Sequence, residues 1–119
     1  MNITARLLFS LMSVLAVSTQ AAGPAKPGNW SENVKVASIN VSNINAAGVW
    51  LRFTPTPYGG QPCATPNTQG DYMLGGGAAN VSQMTAIATE ALVHSREVSV
   101  YWRGECLGGY PILLGITLK

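Results

Sequence analysis

The chain carries little charge. Only 10% of its 119 residues are charged, seven Lys plus Arg against five Asp plus Glu. No basic stripe exists to track a phosphate backbone, which excludes a nucleic-acid binder. Histidine is scarcer still: His94 stands alone. Cysteine is limited to Cys63 and Cys106, and Cys-x-x-Cys is absent, which argues against a redox pair or a structural zinc site. No Gly-x-Ser-x-Gly elbow appears, so the serine-hydrolase signature is missing. The one long apolar run is about eleven residues, too short for a bilayer that needs roughly twenty. No later segment is apolar enough to span a membrane, and no internal repeat occurs.

That apolar run has its own meaning. Arg6 lies in a short polar stretch, Leu7 to Val17 form an apolar core, and Ser18, Thr19, Ala21 and Ala22 follow as small residues. This order predicts a secretory signal peptide over residues 1–22, cleaved just after Ala21 or Ala22. No cysteine sits near the cleavage region, which argues against a lipid anchor. The expected localisation is secreted or periplasmic. Removal leaves about 97 residues, one small domain with a thin core. In an oxidising compartment Cys63 and Cys106 are expected to form a disulfide. Closing a loop of about 44 residues, it stabilises by roughly 4 kcal/mol on the chain-entropy estimate.

Residues 23–32 hold two prolines and two glycines and read as a flexible leader, with Trp30 tucked against the domain. Residues 33–119 form a single domain. Val34, Val36, Ile39 and Val41 mark a first strand whose spacing slips once, predicting a bulge. Val49, Leu51 and Phe53 alternate with Trp50, Arg52 and Thr54 in a second. A loop with four prolines runs from Pro55 to Gly70, and Asp71 to Leu74 is a short third strand. Asn80 reads as an N-cap, with Gln83 at the reciprocal position. Val81, Met84, Ile87, Ala88, Ala91 and Leu92 recur at helical spacing, predicting a helix from about Val81 to His94. Val98, Val100 and Trp102 alternate with Ser99, Tyr101 and Arg103. Tyr110, Ile112, Leu114, Ile116 and Leu118 share one face of a last strand. The order β-β-(β)-α-β-β, with one helix, fits a small antiparallel OB-like barrel, mainly β with one helix, closed at one end by that helix and stapled by one disulfide.

The candidate chemistry is sparse. A glycosidase needs two carboxylates across a cleft. Of Glu32, Asp71, Glu90, Glu97 and Glu105, only Asp71 and Glu105 are candidates, and both fall in turns. His94 suits a helix C-terminus, where its ring complements the dipole. Gly75-Gly76-Gly77 lacks the Gly-Lys-Ser/Thr ending of a phosphate loop. Asn29, Asn40 and Asn80 each open an N-glycosylation sequon. The reading is non-catalytic, with no metal and no cofactor. Alternation points Trp50, Arg52, Tyr101 and Arg103 away from the core. If their strands are neighbours, two aromatics and two guanidiniums form one ligand-binding patch, suited to sugars, peptides or carboxylates. Its bland counterpart is cross-strand packing.

The sequence of features is Trp30, Cys63, a helix with Glu90-Ala91-Leu92, Val98-Ser99-Val100-Tyr101, Cys106 and Tyr110-Pro111-Ile112. It resembles a group of small, signal-bearing bacterial proteins. More distantly, it is similar to the B subunits of pertussis-like AB5 toxins, which are OB-fold, glycan-binding pentamers. The resemblance implies an OB fold and a binding role. The strand-two cysteine and Tyr-Ser-Asp entry segment of those toxin subunits are absent, so no sugar-binding residue carries over. The expected function is a secreted or periplasmic binding module for a glycan or a partner protein, with a homo-oligomer left open. The alternative is a structural or envelope-maintenance protein with no small ligand.

Overall fold

In a computed structural model of the chain, the described residues are 24–42, 48–59, 63 and 70–119. The signal peptide expected over residues 1–22 lies outside the described residues. Five strands and one helix follow in order: β1 (Val34–Ser42), β2 (Gly48–Thr54), β3 (Tyr72–Leu74), α1 (Ala78–Val93), β4 (Glu97–Leu107) and β5 (Tyr110–Leu118). Around the barrel they run β1-β2-β3-β5-β4 and close on β1. This is the OB-like barrel with its helix between the third and fourth strands. One pairing differs from a wholly antiparallel sheet. β3 runs parallel to β5, because α1 carries the chain past β5 to β4 before the β4–β5 hairpin returns it.

Val49, Leu51 and Phe53 point into the barrel, as do Val98, Val100 and Trp102. Val34 and Val36 join them from β1, whose register shifts between Val36 and Ser38. That is the bulge implied by the slipped spacing. β5 departs from the sequence reading. Pro111 and Leu113 face inward, and Tyr110, Ile112 and Leu114 do not. Tyr101 pairs with Gly115 but Trp102 with Leu113, so Leu114 is one extra residue and the inward phase flips there. Ile116 is buried beyond it.

α1 begins earlier than expected. Gly77, with φ +97°, is the N-cap, and Val81 N–H donates to Gly77 O. Asn80 is therefore not the cap. Its Nδ2 donates to Gly75 O at 2.8 Å and Leu114 O at 3.2 Å, tying the first turn to β5. A positive-φ glycine makes the turn without a side-chain cap. Met84, Ala88 and Ala91 are buried against the barrel, with Val81 and Ile87 at the margin. Leu92, expected in the stripe, is exposed. His94 is the C-cap.

Cys63 and Cys106 form the disulfide, with Cα atoms 6.2 Å apart. The bridge ties the β2–β3 connection to the far end of β4. The residues read as a flexible leader are held from Ala25 onward. Ala25 N–H donates to Pro57 O, Gly28 N–H to Trp102 O and Ser31 N–H to Val100 O. The leader thus continues the antiparallel seam that β1 starts with β4 at Val34–Val98 and Lys35–Glu97. Prolines and glycines bar a regular strand there, but the edge of β4 still supplies carbonyls that need donors.

Candidate functional site

The four residues of the expected patch do not form one surface through neighbouring strands. Trp50 and Arg52 lie on β2, and Tyr101 and Arg103 on β4. In the barrel order β1 separates those strands on one side, β3 and β5 on the other. Strand alternation gave each residue its face but not the order of strands. Trp50 instead packs edge-on against Tyr110, ring centroids 5.8 Å apart, and its buried Nε1 has no hydrogen-bond partner among the described residues. Arg52 Nε donates to Asp71 Oδ1 at 3.0 Å. Arg103 pairs with Glu105 at 3.1 Å. The two acids weighed as a catalytic pair thus each engage an arginine. His94, half-exposed at the helix end, faces Glu90 one turn earlier at 3.6 Å.

Tyr101 has a different aromatic partner. Trp30 bridges to it from the leader, ring centroids 5.5 Å apart and planes tilted by 44°. Across the sheet from Tyr101 stands Gly115. A Cβ on Gly115 would lie 2.8 Å from Cη2 of Trp30, a collision. The missing side chain is therefore the seat of the indole. An isolated glycine inside a strand is the sequence signal of such a close approach. Trp30 is nonetheless 50% exposed.

The backbone on both sides of Trp30 is pinned. Besides the bonds from Gly28 and Ser31, Ser31 Oγ accepts from Val100 N–H at 3.0 Å, and Ser99 Oγ donates to Ser31 O. Both serines are buried by this exchange, although alternation alone turns Ser99 outward. Asn29 O accepts from the Tyr58 hydroxyl at 2.6 Å. That hydroxyl also donates to Val100 O at 2.9 Å and accepts from Trp102 N–H at 3.0 Å. Tyr58 thus joins the leader, β4 and the loop after β2 at one atom. Burial raises its pKa above the ordinary tyrosine value, and the Trp102 N–H bond partly offsets that. Burial pushes Tyr72 up to about 12.

Two concavities lie elsewhere. An apolar groove of about 470 Å³ runs between α1 and the ends of β1 to β3, lined by Val41, Val49, Met73, Leu74 and Val81 among others. A cleft of about 280 Å³ between the leader and Pro55–Pro57 includes Glu32. Among the described residues no group of three or more His, Cys, Asp or Glu is placed to hold a metal ion, and no helix is long and apolar enough to cross a membrane. No protein-family model matches this chain, and no curated protein matches it either.

Proposed function

We propose that this chain is an exported, non-catalytic binding module, secreted or periplasmic, that meets a glycan or a partner protein on the outer face of its barrel at Trp30 and Tyr101. One observation carries the reading: a large aromatic ring is held half in solvent by a backbone pinned on both sides. Half an indole leaves on the order of 100 Å² of apolar surface in water. Burying it instead is worth roughly 2–3 kcal/mol at about 25 cal/mol/Å². A purely structural tryptophan gains by turning inward, as Trp102 does. The export half rests on the N-terminal segment, and N-terminal sequencing of the exported protein should begin at Ala22 or Gly23.

Glycan and peptide arrays probed with the mature protein test the binding half. The expected hit is lost in Trp30→Ala and kept in His94→Ala. A hit that survives Trp30→Ala and disappears in His94→Ala moves the site to the helix end and reopens catalysis.

A further inference from the structure

We infer that the Trp30–Tyr101 shelf takes a saccharide, a pyranose ring stacking its C–H face on the exposed side of the Trp30 indole. This rests on the binding-module reading above and narrows its ligand class. The benzo ring of Trp30 is seated over Gly115, so the surface left open is the side turned away from the sheet. That surface is flat, small and already in place. Its area is on the order of 100 Å². A single sugar ring matches it. Asn29 precedes Trp30 in the chain, and Arg103 follows Tyr101 on the same face of β4, about 7 Å along the strand.

Charge decides against a cation as the occupant. A quaternary ammonium on an aromatic face is best held with an acid beside it. Glu105 is engaged by Arg103, and Glu32 lines the cleft beside Pro55–Pro57. Lys26, in the turn closed by Asn29 N–H to Lys26 O, adds a positive charge to the leader, while Arg103 is paired with Glu105. Neutral and acidic sugars both suit that surround. Pinning also matters: a shelf fixed before the ligand arrives loses little conformational entropy on binding.

The test follows the three tryptophan indole N–H signals of ¹⁵N-labelled mature protein by NMR. The probes, at millimolar concentration, are cellotriose, chitotriose and N-acetyllactosamine as neutral saccharides, sialyllactose and a galacturonic-acid trimer as acidic ones, tetramethylammonium, and a random peptide pool. The expected result is a saturable shift of the Trp30 signal with at least one saccharide, while the Trp102 signal stays still. The two saccharide arms separate neutral from acidic recognition. Gly115→Val, which drives the indole off its seat, should weaken binding by about tenfold or more, and Trp30→Ala should do the same. Melting curves of both variants check that the barrel is intact, and Tyr101→Ala supplies a third variant that leaves the leader's bonds alone. A Trp30 shift with tetramethylammonium or peptide and with no saccharide overturns the sugar assignment and leaves the binding reading standing. No shift with any probe overturns both.

Discussion

Removing one oxygen atom, in Tyr58→Phe, should destabilise this domain more than most single changes. The Tyr58 hydroxyl is a three-way junction. It accepts from Trp102 N–H, and its one proton serves the carbonyls of Asn29 and Val100. Phenylalanine keeps the ring and its contact with Trp102, centroids 5.2 Å apart. What is lost is polar. A stranded buried N–H costs about 1–3 kcal/mol, and the lost bond to the carbonyls about 1 kcal/mol more. The sum, about 2–4 kcal/mol, is a large part of the 5–15 kcal/mol typical of a whole domain. At about 4–8 °C per kcal/mol for a domain of this size, the melting temperature should fall by roughly 10–30 °C. Circular-dichroism melts and urea titrations measure it. The midpoint should drop with little change in m. Tyr72→Phe is the control. Its ring is the more buried of the two, but its hydroxyl contacts are long, 3.2 Å from Tyr58 N–H and 3.4 Å to Gly59 O. If Tyr58→Phe melts within a few degrees of wild type, or costs less than Tyr72→Phe, the junction does not hold the leader to the barrel and the reasoning fails.

Other outcomes follow from the same structure. Met84→Asp should abolish the cooperative transition, because Met84 is 3% exposed and a lone carboxylate there has no partner; a wild-type melt would mean the helix is seated in another phase. Non-reducing mass spectrometry should recover one Cys63–Cys106 peptide pair with no free thiol, and replacing both cysteines with serine should cost about 2–5 kcal/mol. The Tyr72 contribution to stability should be fully present up to about pH 10 and be lost from there toward pH 12. Tyr72 has a folded pKa of about 12 against 10.0 unfolded, so the neutral phenol is the form the fold favours and ionisation draws the equilibrium to the unfolded chain. A Tyr72→Phe variant should lose much of that alkaline slope.

Much of the architecture was legible because strand alternation and helical spacing are local signals. Val49–Phe53, Val98–Trp102 and the slip after Val36 read directly as strands and a bulge. Met84, Ala88 and Ala91 read as the packed face of a helix, and two cysteines allow a single pairing. What local pattern cannot carry is the order of strands. Trp50 and Tyr101 share an outward phase, yet β2 and β4 are not neighbours, and nothing in either strand encodes that. Asn80 looked like a cap because its side chain is competent for one, but Gly77 had already made the turn and left Asn80 free to reach Leu114 O. The phase of β5 failed at Leu114, where an extra residue in an unbroken apolar run is invisible to a two-residue period. The leader's attachment is invisible to local pattern for a related reason. Its prolines exclude a strand, and its attachment comes from β4 and Tyr58, dozens of residues away. Trp30 was expected to tuck in, and what marked its place was Gly115, a gap that acquires meaning only once it faces Tyr101.

Amide hydrogen exchange at Gly28 and Ser31 tests the central claim most directly. The binding surface proposed for this protein exists only if the leader is fixed to β4. The two amides donate to Trp102 O and Val100 O, each at 2.8 Å. In the folded protein they should exchange orders of magnitude more slowly than an unstructured chain and approach the protection of β4 itself. Tyr58→Phe should speed both. If Gly28 and Ser31 exchange at the rate of a free tail while β4 remains protected, the leader is loose, Trp30 has no fixed position, and the shelf is not there to bind anything.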